Sequence, residues 1–284
     1  MNGRQLLYFT LFAIILFMVS CREGHNETEV PDIDTLVVDT VLQDTLTDFE
    51  EKVEELVLPT NRTECFSDFI FTFVNNRRFQ AERIKFPLPL EEIDGSIHHI
   101  TSGKDFRSDF VWPSREEYTM LLTDPQQMET YQNNMELSSV EVQIISLRSQ
   151  SVRGYYFQRE EGRWYLMRRR QYAPQGTLAR FLSFYQRFTT DSVYRQQSVA
   201  EHMNYATTDP DGEMERVEGT LERSQWPAFS PDMPQGIITN INFGQPIENT
   251  SRMVLLQCGT SSGMMDIYTF LCEEGKWKLI SYEN

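Results

Sequence analysis

Residues 66–84 read FSDFIFTFVNNRRFQAERI, and residues 181–199 read FLSFYQRFTTDSVYRQQSV. Laid over one another, Phe66, Phe69, Phe73, Phe79 and Ile84 meet Phe181, Phe184, Phe188, Tyr194 and Val199 at a constant offset of 115. The correspondence then continues in order. Asp94-Gly95 answers Asp211-Gly212, Trp112-Pro113 answers Trp226-Pro227, and EEGRWYL from Glu160 answers EEGKWKL from Glu273, with the offset drifting only between 113 and 117. An internal repeat of this kind defines the unit that folds. The 284 residues are therefore read as two copies of one domain, 59–173 and 174–284, each near the commonest domain size.

Within each copy the same rules apply. Phenylalanines three and four apart place aromatics on one face of an opening helix, predicted over 61–79 in the first copy and 177–197 in the second. Asp-Gly then marks a turn between two extended segments, and Pro87 and Pro89 confine the first of these to an edge or a broken strand. A loop carrying Trp-Pro follows. Each copy closes on a three-strand meander, Val140–Leu147, Val152–Arg159 and Arg163–Gln171, matched by Arg252–Gly259, Met264–Cys272 and Lys276–Tyr282, with Glu-Glu-Gly as the tight turn before the last strand.

A helix, a hairpin and a long bent antiparallel sheet closing on an E-G-x-W hairpin resemble the nuclear transport factor 2-like superfamily. The expected fold class is α+β: two tandem NTF2-like cones, each an opening helix packed in a curved antiparallel sheet with a cavity between them. As a whole the chain also resembles a Bacteroidales lipoprotein family known as domain of unknown function 4348. That family resemblance implies no chemistry. The superfamily resemblance implies a cavity that either binds or catalyses, and leaves the choice to the residues.

The N-terminus supplies an address. MNGRQLLYFTLFAIILFMVSC has one early positive charge, Arg4, an apolar run from Leu6 to Val19 and small Ser20 before Cys21. This is the order of a secretory signal peptide over residues 1–20, and about 14 apolar residues fall short of the ~20 that span a bilayer. Met18 to Cys21 resemble a bacterial type II signal peptidase site. Cys21 is the expected lipidation site, and a lipid-anchored protein of the bacterial cell envelope, at the outer membrane, is the expected localisation. Its periplasmic or surface face stays open.

Residues 21–47 read as an acidic flexible tether. From Arg22 to Leu58 there are 12 acidic residues against two basic ones, so most of the net charge of −16 lies there. The tether repeats Asp-Thr-aliphatic every five residues. This resembles the acceptor pattern of Bacteroidota O-glycosylation, and implies sugars on Thr35, Thr40 and Thr45. Thr47 and Glu50 form a capping box, and Phe49, Val53, Leu56 and Val57 recur at helical spacing, so residues 48–58 are expected to be an amphipathic helix. The acidity weighs against nucleic acid as a partner.

Candidate catalytic residues are few. Of four histidines, His25 lies in the tether, His98 and His99 are adjacent after the turn, and His202 stands alone. No metal-ligand spacing, nucleophile triad or phosphate-cradling loop occurs, so neither a metal nor a cofactor is expected. Cys65, Cys258 and Cys272 are read as small buried hydrophobes. Alternation along the last strand of the first copy sets Trp164, Leu166, Arg168 and Arg170 on one face, and with Arg153 they are candidates for an anionic ligand. Trp112 and Trp226 are candidate pocket walls, with loop-anchoring core residues as the alternative. The expected function is non-catalytic binding of a small ligand or an envelope protein, by a protein also attached to the membrane through its N-terminal lipid. The alternative is an isomerase- or hydrolase-type enzyme acting on a small molecule in one cone.

Overall fold

The computed structural model describes residues 63–107, 117–128, 136–208, 215–245, 247–259 and 263–284, all within one unit spanning Pro59–Asn284. Cys21, Thr35, Thr40, Thr45, the 48–58 helix, Trp112 and the Asp211-Gly212 turn lie outside the described residues.

Each opening helix proves to be two helices broken at the same place. The first copy has α1 (Phe66–Asn75) and α2 (Arg77–Glu82); the second has α3 (Gly176–Thr190) and α4 (Ser192–Gln197). Between them Asn76 (φ −123°, ψ 104°) and Asp191 (φ −115°, ψ 104°) are extended. Their Oδ1 atoms accept the amides of Phe79 at 3.1 Å and Tyr194 at 2.9 Å. The apolar spacing runs through the break, but a short polar side chain that captures a free amide three residues on starts a new helix.

The strands follow the expected meanders closely. The first copy contributes β1 (Leu88–Glu91), β2 (Ile97–Ile100), β3 (Glu117–Leu122), β4 (Ser139–Ser146), β5 (Ser151–Glu160) and β6 (Arg163–Tyr172). The second contributes β7 (Val199–Thr208), β8 (Arg216–Glu222), the short helix α5 (Trp226–Phe229), β9 (Ile237–Asn242), β10 (Arg252–Gly259), β11 (Met265–Glu273) and β12 (Lys276–Glu283). In the tight turns, Glu161 and Gly162 both have positive φ, as do Glu274 and Gly275. That is the two-residue geometry whose twist suits an antiparallel pair, and it explains the glycine. The Trp-Pro region, read as a loop, holds β3 in one copy and β9 in the other.

Those two strands change the architecture. The sheets run β2-β1-β6-β5-β4-β9 and β3-β10-β11-β12-β7-β8. β9 of the second copy therefore closes the first sheet, and β3 of the first copy closes the second. The exchange is reciprocal in register: Glu141 faces Asn242 on β4–β9, and Val254 faces Leu122 on β10–β3. A cut between residues 173 and 174 separates the repeats but not the sheets. Each sheet also carries one parallel contact, β1 with β6 and β7 with β12, within an otherwise antiparallel ladder.

The exchange lets the inner strands serve two cores. The first core holds Phe66, Phe69 and Phe73 of α1 against Tyr155, Phe157 and Trp164, and takes in Ile241, Val254, Leu256 and Cys258 from the second copy. The second holds Phe181, Phe184 and Phe188 of α3 against Tyr268, Phe270 and Trp277, and takes in Leu121, Ile145, Leu147 and Val152 from the first. On β10, alternate residues face opposite cores: Val254, Leu256 and Cys258 one way, Met253 and Leu255 the other. A strand covered on both faces needs a continuous apolar run, which MVLL (253–256) supplies. Cys258 and Cys272 sit at opposite ends of the β10–β11 pair, and Cys65, Cys258 and Cys272 are free thiols.

Candidate functional site

The two cones are most alike at the helix and most different at the mouth. On β5 the inward residues are Arg153, Tyr155 and Phe157; on β11 they are Asp266, Tyr268 and Phe270. On the last strands Tyr155 faces Arg169, and Tyr268 faces Tyr282. The aromatics are kept while the outer pair changes from Arg153 and Arg169 to Asp266 and Tyr282.

Arg169, not Arg168 or Arg170, thus holds the inward place on β6. The β5–β6 register shifts between Tyr156 and Phe157, so Phe157 faces Leu166 and Tyr156 faces Arg168, leaving Met167 as the extra residue. One extra residue reverses the alternation beyond it. Arg168 is exposed over the Tyr156 ring at 4.8 Å. Arg170 turns to the opposite face, where its Nε meets Glu141 Oε1 at 3.1 Å and its guanidinium lies 4.3 Å from the Tyr172 ring centre. Arg153 does face inward, beside Arg169, whose Nη2 is 3.2 Å from Glu92 Oε1. Burial first, and then the Arg169 charge, lower the Arg153 pKa, with Glu92 opposing.

Trp226 is 1 % exposed, packed edge-on against Tyr282 at 5.5 Å. It is a core residue that pins α5. His98 and His99 are exposed on β2, and His202 pairs on the surface with Glu222 at 2.9 Å.

The second mouth has polar groups that composition and motif reading passed over. Tyr282 donates its hydroxyl to Asp266 Oδ1 at 2.6 Å. Gln257 Nε2 donates to Glu117 Oε2 at 2.6 Å, and Tyr268 Oη lies 3.5 Å from Gln257 Oε1. Burial pushes the Asp266 carboxyl above its ordinary value; the Tyr282 hydrogen bond opposes this and Glu117 adds to it. Nearby, burial raises the Cys258 thiol to about 11. Only the mismatch of Arg153 with Asp266, inside strands that otherwise match, marks this mouth in the sequence.

Ionisation of Asp266 therefore costs folding free energy. A carboxyl raised in the native state contributes stability that is present at low pH and lost as pH rises through its folded pKa. Asp266→Asn is expected to unfold at a higher urea concentration than the parent at pH 7, and the gap is expected to close as the pH is lowered through the carboxylate range. Urea midpoints at pH 7 and pH 4 measure both.

Beside this mouth lies a cavity of about 420 Å³ at the crossing of β3 and β9. Glu117, Asp232, Gln257 and Thr119 give it polar walls, and Met233 and Ile237 apolar ones. Among the described residues no lysine, arginine or histidine lines it. Its floor is the crossing itself, made rigid by buried hydrogen bonds between the copies. Thr119 and Thr239, which hold the same place in the two strands, bond reciprocally: Thr119 Oγ1 donates to Thr239 O, and the Thr239 amide returns to Thr119 Oγ1 at 2.9 Å. The Leu121 amide donates to Asn240 Oδ1 at 2.7 Å, and Asn240 Nδ2 donates to Gln143 Oε1 at 2.7 Å. Among the described residues no group of three or more His, Cys, Asp or Glu is placed to hold a metal ion.

A family model described as Domain of unknown function (DUF4348) matches residues 45–284. The chain belongs to this family. The crystal structure of an NTF2-like protein from Bacteroides fragilis is 29 % identical in sequence, covers 79 % of this chain and 97 % of its own, and superposes with a TM-score of 0.71. No curated protein matches the sequence. The DUF4348 chain thus has the α+β, NTF2-like fold expected from its repeats.

Proposed function

We propose that the protein is a lipid-anchored cell-envelope protein that binds a small ligand, without chemical turnover, in the cavity where β3 and β9 cross. The observation that carries this reading is the cavity lining. Carboxylates, an amide and a hydroxyl stand beside apolar walls, with no cation among the described lining residues, which suits a neutral or cationic molecule bearing hydroxyl or amine donors. The cone interiors support binding rather than turnover: aromatic side chains with no measurable exposure occupy both, Tyr155 and Phe157 in one and Tyr268 and Phe270 in the other, and the cavity of about 180 Å³ beside α1 of the first is lined largely by apolar residues such as Phe66, Ile70 and Met120. The anchor rests on the apolar run ending at Cys21, and glycans on Thr35, Thr40 and Thr45 rest on the five-residue tether repeat.

Mass spectrometry of the full-length protein taken from its native membrane tests this. Acyl chains on Cys21, sugars on the three threonines and a retained small molecule are expected, and the small molecule is expected to be lost in Glu117→Gln/Asp232→Asn. Retention of the molecule by that variant, or its absence from the parent, would count against the reading. One observation favours the enzyme alternative: Asp266, raised by burial and bonded to Tyr282, is a candidate proton carrier. In that case Asp266→Asn would still bind the molecule and would stop its conversion.

A further inference from the structure

In the first copy a single glutamate is held by five hydrogen bonds. The Glu64 amide donates to Gly162 O at 2.8 Å, and its carbonyl accepts the Trp164 indole N–H at 3.1 Å. Its carboxylate accepts Arg83 Nη2 at 2.6 Å, Arg83 Nη1 at 2.9 Å and the Trp164 backbone amide at 2.9 Å. Main chain and side chain are recognised together, at the foot of α1 where β6 begins.

The repeat offsets carry this site onto the second copy. Gly162 becomes Gly275 and Trp164 becomes Trp277, while Glu64 becomes Ala179 and Arg83 becomes Ser198. The receiving groups remain and the glutamate is gone. An open groove of about 770 Å³ lies there, lined by Ala179, Ser198, Gly275 and Trp277. Trp277 is 6 % exposed, and among the described residues its indole N–H has no partner. Its backbone amide points away from β11. Cys272, which faces Trp277, gives its own amide to Ser251 O at 2.6 Å on the far side, as Arg159 facing Trp164 gives its amide to Ser138 O at 2.8 Å. In an antiparallel ladder both amides of such a pair point outward. The rim has Arg180, Lys276 and Lys278, and among the described residues no carboxylate lines the groove.

We propose that this groove is a docking site for an extended acidic peptide segment of a partner protein, read through one glutamate. The peptide amide meets Gly275 O, its carbonyl meets the Trp277 indole, and its carboxylate meets the Trp277 amide with Arg180, Lys276 and Lys278 around it. Charge-assisted bonds to a site closed on one side by an aromatic ring confer preference for the acid over its amide.

The probe is a fluorescein-labelled peptide of residues 63–68 carrying Cys65→Ser, acidic through Glu64 and Asp68, titrated with the full-length protein in detergent and followed by polarisation. Saturable binding is expected, at least tenfold weaker for the Glu64→Gln peptide and at least tenfold weaker to Lys276→Glu/Lys278→Glu protein. Ala179 lies inside α3 with its amide on Gln175 O at 3.3 Å, so Ala179→Glu/Ser198→Arg restores only the two side chains of the clamp, at the edge of the groove. This variant is expected to melt no lower than the parent and to lose the peptide. Absence of saturable binding, equal binding of the two peptides, or undiminished binding to the Ala179→Glu/Ser198→Arg variant would each overturn the proposal.

Discussion

Residues 59–173 and 174–284, expressed apart, are expected to give no folded monomer, and mixing them is expected to restore the fold. Without β9, β4 loses its ladder from Glu141 to Ser146, and without β10, β3 has no partner strand. The first core would lose Ile241, Val254, Leu256 and Cys258; the second would lose Leu121, Ile145, Leu147 and Val152. At about 1.5–3 kcal/mol per buried aliphatic side chain, the first core forfeits ~4.5–9 kcal/mol from Ile241, Val254 and Leu256, and the second ~6–12 kcal/mol, as much as the ~5–15 kcal/mol by which whole domains are stable. Circular dichroism and gel filtration of each half and of the mixture read the result. A half that unfolds cooperatively as a monomer would mean that its own β3 or β9 folds back in place of the exchanged strand.

Phe157→Ala and Phe270→Ala are expected to destabilise the protein by about 3–5 kcal/mol each, the cost of emptying a fully buried aromatic position, and to lower the same thermal transition. Both side chains have no measurable exposure. Phe157 meets the rings of Phe66, Phe69 and Phe73 at 5.7, 5.5 and 5.2 Å, and Phe270 meets those of Phe181, Phe184 and Phe188 at 5.4, 5.7 and 5.6 Å. They stand in the same place in different cores. In independent domains each substitution would move only its own half. With β3 and β9 exchanged, opening one core strips strands from the other, so calorimetry is expected to show one peak that moves with either variant. Two peaks, each answering to one substitution, would refute the coupling.

The cavity-lining carboxylates Glu117 and Asp232 carry no motif, and neither does the Asp266–Tyr282 pair. They become a site only when three non-adjacent segments meet. The inward Arg169 was hidden for a different reason. Alternation along β6 points to Arg168 and Arg170, and the count is correct until Met167, where the extra residue reverses it. Nothing in RWYLMRRR announces a bulge. The buried Trp226 was legible only as a choice between wall and core, which its packing on Tyr282 decides.

What the amino-acid sequence determined by itself is the repeat and everything local to it. Phenylalanines at helical spacing, alternating strands and the Glu-Glu-Gly turns act over a few residues, so the two copies fix their helices and meanders from within. What the tertiary structure alone decided is which strand lies beside which. A period of two tells a strand which face to bury and leaves its neighbour unspecified, because the amides that join β3 to β10 and β9 to β4 are the same in every residue. The partner is chosen by the burial that each exchange completes, and that burial spans both copies.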